Sequence, residues 1–273
     1  MKGDNYMAKI FNPNELVLEK IRVVEEYDPS TDEITGRYTQ IESPVLSTSA
    51  DEQEVTDAMG ANIMSFYNAQ KGTFKFDNSV FSLDLAANQF GSKKIVASDN
   101  TKVAMPVSET ITVGSDHTVT LKYVPVGTKG AEIKFVKVIN GDNTFGEKYE
   151  ISSVAGEGKF TLDAASKKIT LPDGVTGRVF VSYYKETSTA VKITKTTDGV
   201  PEVKKLHIHA LFHNICNKNL TYAGVIVCPR AQIDPTSVDL NLSVGEKHSA
   251  SYVLSKEYCS DESKLFDIII SED

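Results

Sequence analysis

Leu16-Val-Leu-Glu-Lys-Ile-Arg-Val-Val-Glu-Glu-Tyr27, then Asp28-Pro29-Ser30-Thr31-Asp32, then Glu33-Ile-Thr-Gly-Arg-Tyr-Thr-Gln-Ile-Glu42 is the stretch whose reading decides the fold. Two runs rich in Val, Ile, Thr and Tyr flank a short polar break, which is how strands separated by a turn read. Pro29 presets φ for the second position of a turn, and Asp28 and Asp32 can bond back to the backbone. Residues 16–42 are therefore expected to form a long hairpin.

The same texture continues outward. Residues 45–55 and 62–67 flank the turn-like Asp57-Ala58-Met59-Gly60, and 73–76 alternate strictly, so these read as consecutive antiparallel strands. The best helix spans 80–90, with Asn78 or Ser79 as N-cap and Gly91 at the C-terminal glycine position. Phe81, Leu85, Ala86 and Gln89 would share its buried face.

From 109 the strands become shorter and more regular: 110–113, 118–124, 133–139, 147–151, 160–162, 168–171 and 179–184. Their separators carry Gly, Asn, Asp and Pro, and this spacing suggests a sandwich or small barrel. Strands resume at 206–212, 222–228, 239–242, 249–254 and 265–271, the last apolar enough to be buried. The expected class is all-β, with one short helix. Residues 1–108 and 190–273 would form one core domain, and 109–189 an inserted, peripheral Ig-like β domain.

At 273 residues the chain can bury a substantial core without disulfides or metal. Lys and Arg total 29 against 37 Asp and Glu, a formal charge of −8. That balance argues against a dedicated nucleic-acid binder, which needs a concentrated basic surface. The three cysteines, Cys216, Cys228 and Cys259, include no CxxC pair, so a reducing compartment fits better than a disulfide scaffold. The polar N-terminus lacks a signal-like apolar core, and the longest apolar run, 223–228, is too short to span a bilayer. A soluble protein with no membrane partner is expected.

One constellation could bind metal. His207, His209 and His213 share the parity of a single strand face, with Cys216 on the other parity. The nearest upstream acid is Glu202, so the carboxylate support usual for such sites is missing from the local sequence. The reading taken is a polar strand face that carries histidines. Cys216 and Cys228 read as small buried hydrophobes, and Glu25-Glu26, Asp51-Glu52 and Asp261-Glu262 as solvated charge. Gly156-Glu157-Gly158 lacks the helix and lysine of a phosphate loop and reads as a hairpin turn. Trp is absent, though Tyr183-Tyr184 keeps a sugar-stacking platform conceivable. No catalytic, cofactor-binding or metal-binding residue is assigned, and no enzyme activity is expected.

Two stretches carry a family resemblance. The first is Thr56-Asp57-Ala58-Met59-Gly60-Ala61-Asn62-Ile63 with Phe66-Tyr67-Asn68-Ala69-Gln70-Lys71-Gly72-Thr73-Phe74, then Phe81-Ser82-Leu83-Asp84-Leu85. The second is Tyr222-Ala223-Gly224-Val225-Ile226-Val227-Cys228-Pro229-Arg230-Ala231-Gln232-Ile233-Asp234-Pro235, running into Val238-Asp239-Leu240-Asn241-Leu242. In layout, over roughly 15–108 and 190–273, the chain resembles tail tube and related virion proteins of tailed bacteriophages. The resemblance implies a tube-like β-sandwich or barrel and homo-oligomeric rings, hexameric and stacked into a tube whose lumen passes DNA non-specifically. It also implies contacts with other tail proteins, assembly in the host cytoplasm and residence in the virion tail. The net acidity suits a lumen that must not grip DNA, and the 16–42 hairpin could pair edge to edge with a neighbour. Segment 109–189 departs from a minimal tube subunit. A virion decoration, adaptor or receptor- or glycan-binding protein is the alternative.

Overall fold

The computed structural model describes residues 15–215, 219–236, 238–257 and 263–271. The chain divides into two compact units: a main unit from residues up to 94 and from 193 onward, and an inserted unit over 95–192. The main unit begins with β1 (Leu16–Tyr27), β2 (Ile34–Tyr38), β3 (Ile41–Thr56), β4 (Asn62–Asn78) and the helix α1 (Leu83–Phe90). The inserted unit holds β5 (Ile95–Val96), β6 (Val103–Thr112), β7 (Thr118–Thr120), β8 (Phe135–Ile139), β9 (Phe145–Ile151), β10 (Lys159–Asp163), β11 (Lys168–Thr170), β12 (Arg178–Thr187) and β13 (Val191–Lys192). The main unit closes with β14 (Val203–Asn214), β15 (Thr221–Ile233), β16 (His248–Leu254) and β17 (Asp267–Ser271). The protein is all-β, with one short helix among the described residues.

The main sheet runs β2-β1-β14-β15-β16-β4-β3, with β17 on the edge of β15. Its two outermost strands, β2 and β3, are separated in sequence only by Thr39 and Gln40. Consecutive Cα atoms lie about 3.8 Å apart, so a linker this short forces the opposite edges together and the sheet must curl. The core fills the curl. Strand β14 shows the alternation that puts it there: Lys204, Leu206, Ile208 and Ala210 point in and are buried, while His207 and His209 point out. Phe76 stacks on Tyr252 at 6.1 Å between ring centres, and Leu85 from α1 is fully buried in the same core.

The helix starts later than its periodicity suggests. Ser82 is the N-cap and accepts from Leu85 N–H at 3.2 Å, while Asn78 stays in β4 opposite Ile41 and His248. Leu85, Ala86 and Gln89 are buried as expected, but Phe81 precedes the helix and stacks on His248. Gly91 ends it at φ 60°, where a Cβ would meet the Val200 carbonyl oxygen at 2.2 Å.

Three strand expectations change. Residues 62–67 and 73–76 belong to one strand, β4. Residues 239–242 form no strand. The C-terminal strand is short and pairs only with β15, so Ile268 and Ile269, on its opposite faces, stay exposed.

The inserted unit repeats the closure principle. Its sheet runs β6-β12-β8-β9-β10-β11-β7, antiparallel except for β9 with β10, and the edge strands β6 and β7 are again consecutive in sequence. The sheet folds over a core that includes Leu121, Val136, Phe160, Ile169 and Val179. Strand β12 pairs with β6 along its whole length, from Arg178↔Thr112 to Thr187↔Val103, so the unit begins before 109. The short β5–β13 pair fastens its two ends.

Candidate functional site

The most unusual feature of the main unit is the far half of its β3–β4 hairpin. Strand β16 covers β4 from Asn78, opposite His248, to Gly72, opposite Leu254, and ends there. Beyond Gly72 the two strands have only each other among the described residues. At about 3.3 Å per residue the roughly ten-residue extension reaches on the order of 30 Å. Asp57 turns the tip by accepting from Met59 N–H at 2.8 Å and Ala61 N–H at 2.9 Å, with Gly60 at φ 84°.

Both faces of this ribbon carry exposed apolar side chains. Met64 opposite Val55 and Phe66 opposite Gln53 lie on one and Tyr67 opposite Glu52 on the other, while Ile63, the extra residue of a bulge between Asn62 and Met64, is exposed as well. A two-stranded ribbon is marginal alone in water, and apolar groups exposed in a contiguous patch mark contact surfaces. Among the described residues strand β3 also leaves its outer backbone edge unpaired, a template for another strand. The ribbon's acidic residues Asp51, Glu52 and Glu54 on β3 and Asp57 in the tip turn are offset within it only by Lys71, which pairs with Asp51 at 2.9 Å.

The long free hairpin is thus 41–78, not 16–42. Strand β1 lies between β2 and β14, and β2 offers only five residues of edge. The turn at 28–32 does form as expected: Asp28 accepts from Ser30 N–H at 2.8 Å and from Thr31 N–H at 3.1 Å.

The acidic pair Glu25-Glu26 is not surface charge, because β1 sends the two side chains to opposite faces. Glu26 is fully buried and accepts from the hydroxyls of Tyr38 and Tyr252 and from the Asn88 amide. It thereby ties β1, β2, β16 and α1 together. Burial pushes its pKa up, against the opposing pull of those hydrogen bonds and of Lys204. Gly36 makes the space: a Cβ there would lie 2.4 Å from Glu26 Oε2 and 2.7 Å from the Tyr38 hydroxyl.

The outward side of β1 and β14 holds the histidines. Glu25 accepts from Tyr27 at 2.8 Å and Arg37 at 3.2 Å and meets His209 Nε2 at 3.0 Å. Partial burial raises its pKa, but these partners outweigh that and the net shift is downward. His213 pairs with Glu19, whose pKa this contact lowers, and the His207 ring lies 4.6 Å from that of Tyr27. His209 and His213, four residues apart along a strand, are separated by about 13 Å. The three rings therefore do not converge on one ion. The carboxylates missing near these histidines in sequence come from β1, some 180 residues earlier.

Cys228 is buried, with its thiol pushed up to about 12 by burial. Cys216, Cys259 and the Asp261-Glu262 pair lie outside the described residues. Gly156-Glu157-Gly158 is a tight turn closed by Gly156 and Lys159, and it rims an open concavity of about 670 Å³ with Glu147, Tyr149 and Asp173. Of Tyr183-Tyr184, the first is buried in the core of the inserted unit and the second is exposed. No helix among the described residues is long and apolar enough to cross a membrane.

An all-β chain with an exposed sheet edge and a two-stranded ribbon that exposes apolar side chains has the make-up of a structural protein. Residues 16–258 match the YomU/Tube protein family, a family of phage tail tube-like proteins, and the chain belongs to it. That range includes the inserted unit as well as the strands on either side of it. No curated protein matches the sequence.

Proposed function

We propose that this protein is a tail tube subunit: copies associate into hexameric rings, and the rings stack into a tube that conducts DNA within the virion tail. The observation that carries the reading is the β3–β4 ribbon, which exposes apolar side chains on both faces and whose β3 edge has no strand partner among the described residues. A neighbouring copy would cover these groups and supply the missing strand partner. Charge adds support. Residues 95–192 carry 12 Lys and Arg against 11 Asp and Glu, a net of +1, whereas the rest of the chain carries 17 against 26, a net of −9. A wall built from the main unit repels DNA rather than gripping it. Membership of a tube family, whose members are generally not enzymes, fits this role.

Negative-stain electron microscopy of the purified protein tests the reading. Rings or tubes of uniform bore are expected from the wild type. Ile63→Ser combined with Phe66→Ser should abolish them while the protein stays folded by circular dichroism. A wild type that remains monomeric at high concentration, or tubes indifferent to the double substitution, would overturn the proposal.

A further inference from the structure

Half of the inserted sheet, β6-β12-β8-β9, turns one face to its own core and the other to solvent. On the solvent face Phe180 of β12 lies opposite Lys137 of β8, and Lys137 lies opposite Lys148 of β9. One row over, Arg178 lies opposite Ile139, and Ile139 lies opposite Phe145. Two lysines directly across a strand pair repel, a destabilising arrangement unless something anionic joins them. Only Lys148 has a neutralising partner, Glu150 at 2.6 Å; Lys137 makes no ion pair among the described residues.

Aromatic rings hold these cations in place instead. Lys137 lies 5.3 Å from the centre of the Phe145 ring and Lys148 5.9 Å from that of Phe135, while Phe145 meets Phe180 edge-on at 5.3 Å. Arg178 is steadied by one contact, to Asn143 Oδ1 at 2.7 Å. The neighbouring strands add hydroxyls to the same face: Ser108 lies opposite Ser182, and Thr110 opposite Phe180. In a chain that is otherwise strongly acidic, this face gathers three cationic groups, hydroxyls and rings.

We propose that this face of the inserted unit binds an acidic glycan, a sugar polymer bearing phosphate or carboxylate groups. The anionic groups sit on Lys137, Lys148 and Arg178, and the sugar hydroxyls meet Ser108, Thr110 and Ser182. The charge complement is Lys137, which has no ion pair among the described residues, together with Arg178 and with Lys148, whose charge is shared with Glu150, and the hydroxyl row favours a polyhydroxylated chain. Nucleic-acid bases fit less well, because ammonium groups already occupy the space over Phe135 and Phe145 where a base would stack.

Isothermal titration of the intact protein tests this with four probes at low salt: phosphomannan, polygalacturonate, neutral dextran and the oligonucleotide dT30. At least one acidic glycan should bind and dextran should not. Binding should weaken about tenfold from 50 to 200 mM salt, as expected for two or three charge contacts. Phosphomannan alone identifies phosphate as the recognised group, polygalacturonate alone identifies carboxylate, and binding of both supports recognition of either. Lys137→Gln with Arg178→Gln should weaken binding at least tenfold. Lys129→Gln with Lys167→Gln, an equal loss of charge elsewhere in the unit, should not. The proposal fails if neither acidic glycan binds, if the two double substitutions act alike, or if dT30 binds more tightly than both glycans.

Discussion

The main and inserted units solve the same geometric problem and finish it differently. Each curls one sheet by making its edge strands neighbours in sequence, β2 with β3 and β6 with β7. In the inserted unit closure completes the burial: Phe160, Ile169, Val136 and Val179 are fully enclosed, and no buried polar or charged residue occurs among its described residues. The buried polar residues Glu26, Asn78, Gln89, Lys204 and His248 all belong to the main unit, which also extends the bare ribbon. A core held by specific polar contacts is easily misassembled but fixes one arrangement when all partners are satisfied. The difference separates a unit that satisfies itself from one that leaves an apolar-bearing ribbon bare, which the proposed function would cover with further copies.

The largest expected effect comes from breaking the self-sufficient side. Phe160→Ala should cost about 3–5 kcal/mol, the usual loss for an enclosed phenylalanine. Hydrogen exchange should then accelerate across 95–192 and leave β14 and β15 protected. Equal acceleration in both units would erase the contrast drawn above.

The polar core of the main unit gives a smaller effect with a pH signature. Because the folded pKa of Glu26 is raised, the folded state keeps a proton that the unfolded chain releases. That stabilisation is complete below the ordinary carboxyl value of 4.5 and is lost as pH rises through the raised value. Glu26→Gln should cost about 1–2 kcal/mol at pH 4, through a mismatched hydrogen bond, and should remove this slope from urea midpoints measured between pH 4 and 9. His248 acts in the opposite sense. Burial lowers its pKa, and its ring accepts from Ser82 N–H and meets Gln89 Oε1 at 2.7 Å. Its contribution is complete above 6.5 and declines as pH falls through the lowered value. His248→Gln should flatten that acidic limb, and an unchanged pH profile in either variant would contradict these assignments.

The smallest effect on folding should come from the ribbon. Ile63→Ser with Phe66→Ser should change the stability of the unassembled protein by less than about 0.5 kcal/mol, as for ordinary surface substitutions. A loss above about 2 kcal/mol would mean that the ribbon packs against its own chain, and the contrast between complete and incomplete units would fail.

Much of the local structure was legible. Asp28 and Asp57 organise the turns their positions suggest, and Gly91 ends the helix. Residues 239–242 alternate like a strand yet form none, since alternation describes a strand only where a neighbour offers backbone partners. Glu25-Glu26 looked like solvated charge because adjacent carboxylates usually are. The available signal was parity, which puts Glu26 on the same side as the buried Val24, but its partners Tyr38, Asn88 and Tyr252 are remote in sequence. The histidines posed the same difficulty, with Glu19 and Glu25 lying on a strand far upstream.

By itself the sequence determined the all-β class, the turn positions, the acidic balance and the presence of an added β region, because these follow from local propensity, turn chemistry and composition. Tertiary structure alone decided which hairpin is left bare, that one of two adjacent glutamates is buried, and that lysines and phenylalanines of separate strands share one face. Those properties depend on strand order and register, set by contacts between residues tens to hundreds of positions apart.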